Sequence, residues 1–365
     1  MALRILNIGT CVPPTVVNQE EALVVARALA CPTQEQDTWL PGMYAGTMIE
    51  QRHLVFSKEL VRDVLEGTTH SGSVFLPKYT PTDRGPTTAQ RMQHYSELAP
   101  PLAIGASRRA LEHSGLGPGD ITHLVTVSCT GFFAPGIDRI LVGELGLRPS
   151  VERTHVGFMG CHGALNGLRV ANAFGASPSA RVLLCAVETC SLHYHYSYHP
   201  SKMVANAIFA DGAAALVGTG AEAAHRWQVL ATGSVYIEDS RRAMTWNIGD
   251  HGFEMTLSRQ VPELIEQHLR PWLESWLAAQ GRRFEEIRSW GIHPGGPKIL
   301  TAVEEALGLS AEQTFHSRKV FAAHGNMSSP TILFILKEML AAECPRPCLL
   351  LGFGPGLVVE ATLVG

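Results

Sequence analysis

The sequence predicts an α/β fold in which the layers alternate as α-β-α-β-α around two buried central helices. Apolar runs of strand length recur between stretches of helical periodicity along all 365 residues. The same order of strand, turn with a reactive or polar residue, apolar helix and paired strands occurs twice, around Cys161 and around Asn326. A chain of this length also exceeds the size at which one core usually stops growing. We therefore predict a duplicated layered sandwich whose halves are residues 1–225 and 226–365.

The first half is predicted to begin with a strand, an amphipathic helix, an irregular stretch, a long loop, a second helix and a buried strand. These elements are assigned to residues 1–10, 18–30, 37–56, 66–86, 88–114 and 121–129. In the second helix Leu98, Leu102 and Ala106 recur at helical spacing, and Gly115 ends it. The long loop is rich in Gly, Ser, Thr and Pro, the residues that favour turns.

The next segment places Cys161 at a turn that opens a helix. Gly157, Gly160 and Gly163 flank the cysteine, and the chain to residue 174 is apolar or small on nearly every side. A helix that is apolar all round lies inside a protein. We expect this helix to be one of the two central ones, with buried strands at 181–187 and 213–217 after it.

The second half repeats this order. Residues 289–293 predict a strand that ends at His293, and Asn326 opens a largely apolar helix at 331–340. The closing strands are predicted at residues 348–352 and 357–364. Because Cys161 and Asn326 begin the two central helices and His293 ends a strand that faces them, one pocket can hold all three side chains.

Composition and charge exclude several classes of function. The net charge is −4 and no run of Lys or Arg stands out, so the chain has no electrostatic attraction for nucleic acid. The first ten residues are typical of a strand and not of a signal peptide, and no uncharged apolar stretch is long enough for membrane insertion. We expect a cytoplasmic protein. With 45% hydrophobic and only 17% charged residues, the composition favours a homodimer.

Metal binding is not expected at either of two candidate positions. The eight cysteines lack the spacing of a disulfide scaffold or a zinc ribbon, and Cys344 and Cys348 have no matching second pair. The alternating His and Tyr residues at 193–199 form the other candidate. For this segment we favour a surface loop, near a dimer contact or the rim of the pocket.

Cys161 is the candidate nucleophile. Unpaired N–H groups and the positive end of the dipole at a helix start favour a thiolate over a thiol. The alternative is a buried cysteine that packs like alanine.

His293 and Asn326 are the candidate partners of Cys161. His293 is followed by Pro294-Gly295-Gly296-Pro297, which breaks the chain and leaves the imidazole at the mouth of a loop. A core histidine bonded to backbone is the alternative for His293, and a helix cap is the alternative for Asn326. Together, an imidazole and an amide can hydrogen-bond a thioester oxygen as it gains negative charge, for example when a malonyl thioester loses carbon dioxide. Such chemistry requires no metal and no organic cofactor.

Several motifs resemble, in order and spacing, those of the type III polyketide synthases of the chalcone synthase group, which belong to the thiolase superfamily. The motifs are Gly160-Cys161, Gly291-Ile292-His293-Pro294-Gly295-Gly296-Pro297, Gly325-Asn326-Met327-Ser328-Ser329 and Gly352-Phe353-Gly354-Pro355-Gly356, with further matches at 121–124, 145–151 and 209–215. The resemblance covers essentially the whole chain. It implies a thiolase-like fold for the predicted sandwich.

The resemblance implies roles that the residues alone do not assign. Cys161 would take an acyl group from coenzyme A and hold the growing chain. His293 and Asn326 would promote decarboxylation of malonyl-CoA and stabilise the enolate and the tetrahedral oxyanion. Phe209 matches one of two gatekeeper aromatics, and Met255 stands where the other is usually Phe. Acyl-CoA and malonyl-CoA are the expected substrates, and no cofactor is expected.

The other predicted substrate-binding residues are Cys129, Cys190, His193, Trp246, Ser328, Gly295 and Phe353. The first four stand where plant members of the family carry three threonines and a small residue, and Ala134 replaces a methionine that reaches across the dimer. Trp246 is expected to fill cavity volume. These departures favour a bacterial-style enzyme that forms an α-pyrone or a resorcinol over one that performs a chalcone-type cyclisation.

Arg52 and Lys298 are the candidate contacts for the nucleotide phosphates of coenzyme A. An ordinary solvated surface position is the alternative for each. Asp239-Ser240 is followed by Arg241-Arg242 and not by the Leu expected after a pantetheinylated serine, so the substrates are expected to arrive as coenzyme A esters.

Two other functions remain open from the sequence. Another enzyme of the thiolase superfamily, such as a type III β-ketoacyl synthase or a hydroxymethylglutaryl-CoA synthase, performs a single condensation without iteration. A thiolase-fold subunit without catalytic activity could instead bind acyl chains or a partner.

Overall fold

The structure, a computed structural model, describes residues 2–223 and 227–365. The predicted boundary between residues 225 and 226 therefore lies outside the described residues. The strands are β1 Arg4–Cys11, β2 Thr15–Asn18, β3 Gln51–Leu54, β4 His123–Ser128, β5 Glu152–Gly157, β6 Arg181–Thr189, β7 Asp211–Thr219, β8 Val229–Tyr236, β9 Met244–Gly249, β10 Gly252–Leu257, β11 Ser289–Ile292, β12 Cys348–Gly354 and β13 Val358–Val364.

The helices range from four-residue turns to one of 25 residues. They are α1 Gln19–Ala30, α2 Gln34–Asp37, α3 Leu40–Ala45, α4 Lys58–Glu66, α5 Thr88–Glu112, α6 Ile137–Leu145, α7 Gly163–Phe174, α8 Pro200–Ile208, α9 Val261–Ala279, α10 Pro297–Leu307, α11 Phe315–His324 and α12 Thr331–Ala341. None of the helices in the described part of the chain combines the length and the apolar character needed to cross a membrane.

Two sheets form the frame of the molecule. The first has the strand order β1-β7-β6-β4-β5, with parallel pairing of β4 to β6 and to β5 and antiparallel pairing elsewhere. The second has the order β11-β12-β13-β8, in which only β11 and β12 are parallel. Strands β7, β12 and β13 are buried along their whole length because both faces of these sheets are covered.

The sheets and helices stack in five layers. Helices α7 and α12 pack between the sheets, in a core that joins Leu165 and Leu168 of α7 to Ile332 and Ile335 of α12. A second core joins the outer face of the first sheet to α5 and α6, and a third joins the outer face of the second sheet to α9 and α10. The predicted α-β-α-β-α sandwich with two buried central helices is confirmed.

The stretch at 37–56 is more regular than the sequence predicts. It contains α3, which begins with a proline near its first turn, and β3, which pairs in antiparallel register with β2. Short polar elements of this kind have too few residues to show a period, so they were not predicted from the pattern.

Candidate active site

Cys161 lies in the turn between β5 and α7, two residues before the first helical residue. Gly160 has a φ of +82°, and a Cβ at this position would lie 2.5 Å from Cδ of Pro355. Only glycine fits both the left-handed backbone and the close approach. The turn that carries the thiol therefore rests on the end of the second sheet.

His293 follows β11, and its backbone N–H donates to the carbonyl of Leu351 at 2.8 Å. The side chain is fully buried, so it does not lie at an open loop mouth as predicted. Neither ring nitrogen has a hydrogen-bond partner among the described residues. A structural core histidine bonds to backbone, and His293 does not. A buried ring with both nitrogens unpaired is poised to bond a substrate.

Asn326 follows α11 and Gly325, four residues before α12 reaches its N-cap at Pro330. Its side chain does not cap α12, since Oδ1 accepts from the N–H of Ser328 at 2.7 Å. That bond leaves the Nδ2 group buried and without a partner in the described structure. The backbone of Asn326 bridges to Phe209 in parallel fashion, which places the predicted gate residue beside the amide.

The protonation states of Cys161 and His293 depend on burial. Burial raises the pKa of the Cys161 thiol to about 11, although the neighbouring polar groups of Ser328 and Asn326 act in the opposite direction. Burial also lowers the pKa of His293 to about 3. Each group alone favours its neutral form, so the start of α7 does not by itself produce a thiolate, contrary to our expectation.

Glu188 is absent from the residues predicted from the sequence, although it lies beside the site. This fully buried carboxylate at the end of β6 accepts from the N–H of Cys129 at 3.0 Å, from the Thr130 hydroxyl at 2.7 Å and from the Ser329 hydroxyl. Its pKa is raised by burial. The signal for it is a lone carboxylate at the end of an otherwise apolar strand.

A second chain of buried hydrogen bonds fixes His162, the residue that follows Cys161 in the turn. Nδ1 of His162 lies 2.7 Å from Oδ1 of Asn166, whose Nδ2 donates to Glu360 at 3.0 Å. Glu360 also pairs with Arg169. Because a carboxylate only accepts, the amide of Asn166 must present its oxygen to His162, whose Nδ1 must carry a proton. The residue after the nucleophile is thus fixed in one orientation.

A small cavity of about 30 Å³ opens beside the thiol of Cys161. The predicted substrate-binding residues that line it are Cys129, Cys190, Phe209, Trp246, Met255 and Ser328. Residues distant in the sequence therefore meet around the candidate nucleophile. Among the described residues, no three His, Cys, Asp or Glu side chains are grouped as metal ligands require.

Trp246 crosses this cavity in a fixed position. Its Nε1 donates to the backbone carbonyl of Cys129 at 2.8 Å. Its ring packs edge-on against His193 and Phe253, with centroid distances of 5.8 and 5.9 Å. The indole therefore occupies volume that a small residue would leave to substrate.

His193 supports the cavity wall as a neutral ring. Its Nε2 lies 2.7 Å from the Thr130 carbonyl, and its Nδ1 accepts from the N–H of Phe253 at 2.9 Å. The first bond requires a proton on Nε2, and burial lowers the pKa of the ring to about 3. The prediction of a surface loop at 193–199 is wrong for most of the segment, because His193, Tyr194 and Tyr196 are buried.

Three other predicted site residues are placed differently by the structure. Arg52 is buried and its guanidinium donates to the carbonyls of Asn206 and Phe209 at 2.6 and 2.9 Å, so we correct its assignment from a phosphate contact to a support for the gate residue. The side chain of Phe353 packs in the core between the second sheet and the outer helices, not in the cavity wall. Gly295 forms a tight turn after His293, where its N–H donates to the His293 carbonyl at 3.0 Å.

Lys298 is exposed near the first turn of α10, close in sequence to His293. This position remains compatible with a phosphate contact, because the start of α10 adds unpaired backbone N–H groups to the charge of the lysine.

Comparisons with known proteins agree along the whole chain. The family model of the chalcone and stilbene synthase N-terminal domain matches residues 2–222, and that of the C-terminal domain matches residues 228–365. The alpha-pyrone synthesis polyketide synthase-like Pks18 of Mycobacterium tuberculosis is 32% identical over 98% of this chain and 89% of the relative. The 1,3,6,8-tetrahydroxynaphthalene synthase of Streptomyces peucetius is 36% identical over 72% of each chain.

Among solved structures, PKS-I from the brown alga Ectocarpus siliculosus superposes with a TM-score of 0.89 and 29% sequence identity. The superposition covers 100% of this chain and 98% of the algal chain. Sequence and fold therefore point to the same group of proteins.

Proposed function

The chain belongs to the chalcone and stilbene synthase family of type III polyketide synthases, and on that premise we propose a catalytic cycle centred on Cys161, His293 and Asn326. The observation that supports this assignment is the set of buried polar atoms without partners among the described residues, His293 Nδ1 and Nε2 and Asn326 Nδ2. Such atoms are costly unless a ligand satisfies them. Of these two residues, Asn326 also acts on the pKa of the Cys161 thiol.

In the loading step, Cys161 attacks the carbonyl of an acyl-CoA. His293 accepts the thiol proton, and the thioester oxygen becomes an oxyanion that the imidazole N–H and the Asn326 amide stabilise. Collapse of this intermediate expels the coenzyme A thiolate, which takes a proton and leaves as coenzyme A. The starter is then a thioester of Cys161.

In the extension step, malonyl-CoA places its thioester oxygen at the same donors. Loss of carbon dioxide leaves the electron pair of the broken C–C bond as an enolate, and the donors stabilise its negative oxygen. The enolate carbon attacks the acyl carbonyl on Cys161 and displaces the sulfur, so a chain longer by one malonyl-derived unit leaves on coenzyme A. Return of that chain to Cys161 makes the reaction iterative.

We propose an α-pyrone or a resorcinol as the product type in preference to a chalcone. Trp246 occupies volume in the chamber beside Cys161, and His193 packs against the Trp246 ring from outside it. One of the relatives is named for alpha-pyrone synthesis.

Purified protein supplied with acyl-CoA and malonyl-CoA tests this function by mass spectrometry of the products. We expect products that contain more than one malonyl-derived unit, and no elongation by Cys161→Ala. Products limited to one added unit would instead indicate a single-condensation enzyme. An inactive protein that binds acyl-CoA without reacting would indicate an acyl-binding subunit.

We propose that the reaction needs no metal and no organic cofactor, because neutral hydrogen-bond donors supply the stabilisation that the enolate requires. Dialysis against a chelator is expected to leave turnover unchanged.

We also propose a cytoplasmic location, since none of the eight cysteines forms a disulfide and Cys161 must remain a thiol to react.

A homodimer is proposed on the basis of the first sheet. Its last strand, β5, has an open edge and is largely exposed. Near this edge Phe132 and Met159 are each 40% exposed, and the Phe132 ring lies against His155 and Phe158. An unpaired edge with adjacent apolar side chains favours pairing with a second copy of the chain.

A further inference from the structure

A second cavity, which we call the outer cavity, lies next to the chamber that holds Cys161. Its volume is about 20 Å³. Both spaces are bounded by Cys190, Phe209, Trp246 and Met255, so they are neighbours separated by these side chains. An acyl group on Cys161 that exceeds the inner chamber would extend toward the outer one.

The outer cavity ends in polar groups. Lys202 of α8 and Glu254 of β10 face each other across it, with Nζ and Oε2 2.9 Å apart. The side chain of Lys202 is 16% exposed and that of Glu254 is 41% exposed. This ion pair therefore forms part of the wall of the outer cavity, with the lysine as its more buried member.

Lys202 retains unused hydrogen-bonding capacity. An ammonium group has three donors, and the bond to Glu254 is the only one that Nζ of Lys202 makes in the described structure. The neighbouring polar side chains are occupied or neutral. Asn206 bonds the backbone of His195 through both Oδ1 and Nδ2, at 2.9 Å each. Burial lowers the pKa of the His195 ring to about 4, so it carries no charge at neutral pH.

The rest of the wall excludes a long aliphatic chain. Phe253 stacks on His193 with a centroid distance of 4.2 Å, and Trp246 is held by its bond to the Cys129 carbonyl. These rings fill the space through which such a chain would pass. The polar groups at this cavity favour a short acyl group whose far end can accept a hydrogen bond.

We propose that Lys202 binds the terminal carboxylate of a short acyl starter, and hence that the preferred starter class is the coenzyme A monothioester of a short dicarboxylic acid. This inference rests on the proposed function. On binding, the substrate carboxylate takes the place of Glu254 on Lys202, and Glu254 turns outward to solvent. No covalent bond changes at this position.

Matched starters test the proposal. Glutaryl-CoA and valeryl-CoA have the same number of carbons and differ in the terminal carboxylate. For the wild-type enzyme we expect a kcat/KM with glutaryl-CoA about tenfold or more above that with valeryl-CoA, as expected for a hydrogen bond to a charged group. Lys202→Met is expected to remove this preference and to leave valeryl-CoA within about twofold of wild type.

Glu254→Gln separates recognition from a purely structural ion pair. It removes the competitor for Lys202, so kcat/KM with glutaryl-CoA should rise while Lys202→Met makes it fall. If the pair only stabilised the fold, both variants would lose activity with both starters. Lys319→Met is the control, because Lys319 forms an ion pair with Glu338 on the surface, away from both cavities.

The outcomes separate this proposal from the proposed function. A wild-type preference for valeryl-CoA, or equal effects of Lys202→Met on the two starters, overturns the starter class while iterative condensation stands. Failure to elongate either starter, together with no decarboxylation of malonyl-CoA, overturns the function and the starter class with it.

Discussion

Ser328 and Asn326 act on the Cys161 thiol against the effect of burial. Burial disfavours the thiolate, and the Ser328 side chain is the largest influence that lowers the pKa of Cys161. A group that bonds the charged form lowers the pKa, so removal of that group must raise it. The nucleophile therefore depends on its neighbours more than on its place before a helix.

Ser328→Ala is expected to raise the pKa of Cys161. Because the thiolate is the reactive form, the rate of iodoacetamide alkylation at pH 7 should fall, and the midpoint of its pH profile should move to higher pH. Mass spectrometry of the peptide containing Cys161 measures the rate. Ser179→Ala, an exposed serine on the opposite end of the sheet, is the control. Identical profiles for the two variants would contradict the role of Ser328.

Trp246 lines the cavity beside Cys161, so we expect its volume to limit the length of the product. Trp246→Gly is expected to enlarge the chamber and shift the products toward longer starters or more extensions, as seen by product mass. Trp246→Phe is the matched comparison, because it loses the bond to the Cys129 carbonyl but keeps most of the volume. If both variants changed the products equally, the hydrogen bond and not the volume would be responsible.

At the scale of elements, the turn between β5 and α7 positions the thiol by contact with the end of β12. Glycines at 352 and 354 allow this contact, since a Cβ at Gly354 would lie 2.2 Å from the His162 ring. The ends of two sheets and the start of a central helix therefore share one junction. Small changes at the junction should affect chemistry more than stability.

Gly160→Ala tests this junction. An alanine at a φ of +82° costs about 1 kcal/mol in backbone strain, and its Cβ would also displace Pro355. Gly115→Ala is the matched control, with a φ of +78° and no atom within 4 Å. We expect both variants to lose unfolding free energy in denaturant titrations, with the larger loss for Gly160→Ala because of the contact with Pro355, and a loss of kcat of about tenfold or more only for Gly160→Ala. If the two variants were equally active, the conclusion would be that the turn does not position Cys161 for the reaction.

At the scale of the whole molecule, the open edge of β5 predicts association. Sedimentation velocity should show a dimer for the wild-type protein. Met159→Glu places a charge beside the exposed edge and should shift the protein toward monomer. Tyr236→Glu, at another exposed apolar position, should leave the dimer intact. A wild-type monomer at micromolar concentration would contradict the proposed homodimer.

The layered fold was predictable because it follows from periodicity, and the turn that carries Cys161 was predictable from the glycines around that cysteine. The apolar pattern of α7 and α12 specifies burial on all sides, which only a central layer provides. The placement of Arg52 was not predictable, since its burial depends on the Phe209 and Asn206 carbonyls, which are remote in the sequence. The same holds for His193, whose partners Thr130 and Phe253 come from two other segments. A contact between two residues that are distant in the chain produces no local pattern in the amino-acid sequence from which it could be predicted.

The most direct test of the central claim is decarboxylation of malonyl-CoA by variants of the three site residues. We propose that His293 and Asn326 act on the thioester oxygen and that Cys161 only carries the acyl chain. Cys161→Ala should therefore still release carbon dioxide while forming no acyl-enzyme and no elongated product. His293→Ala and Asn326→Ala should each lose about tenfold or more of the decarboxylation rate. Wild-type decarboxylation by either of these two variants would contradict the account.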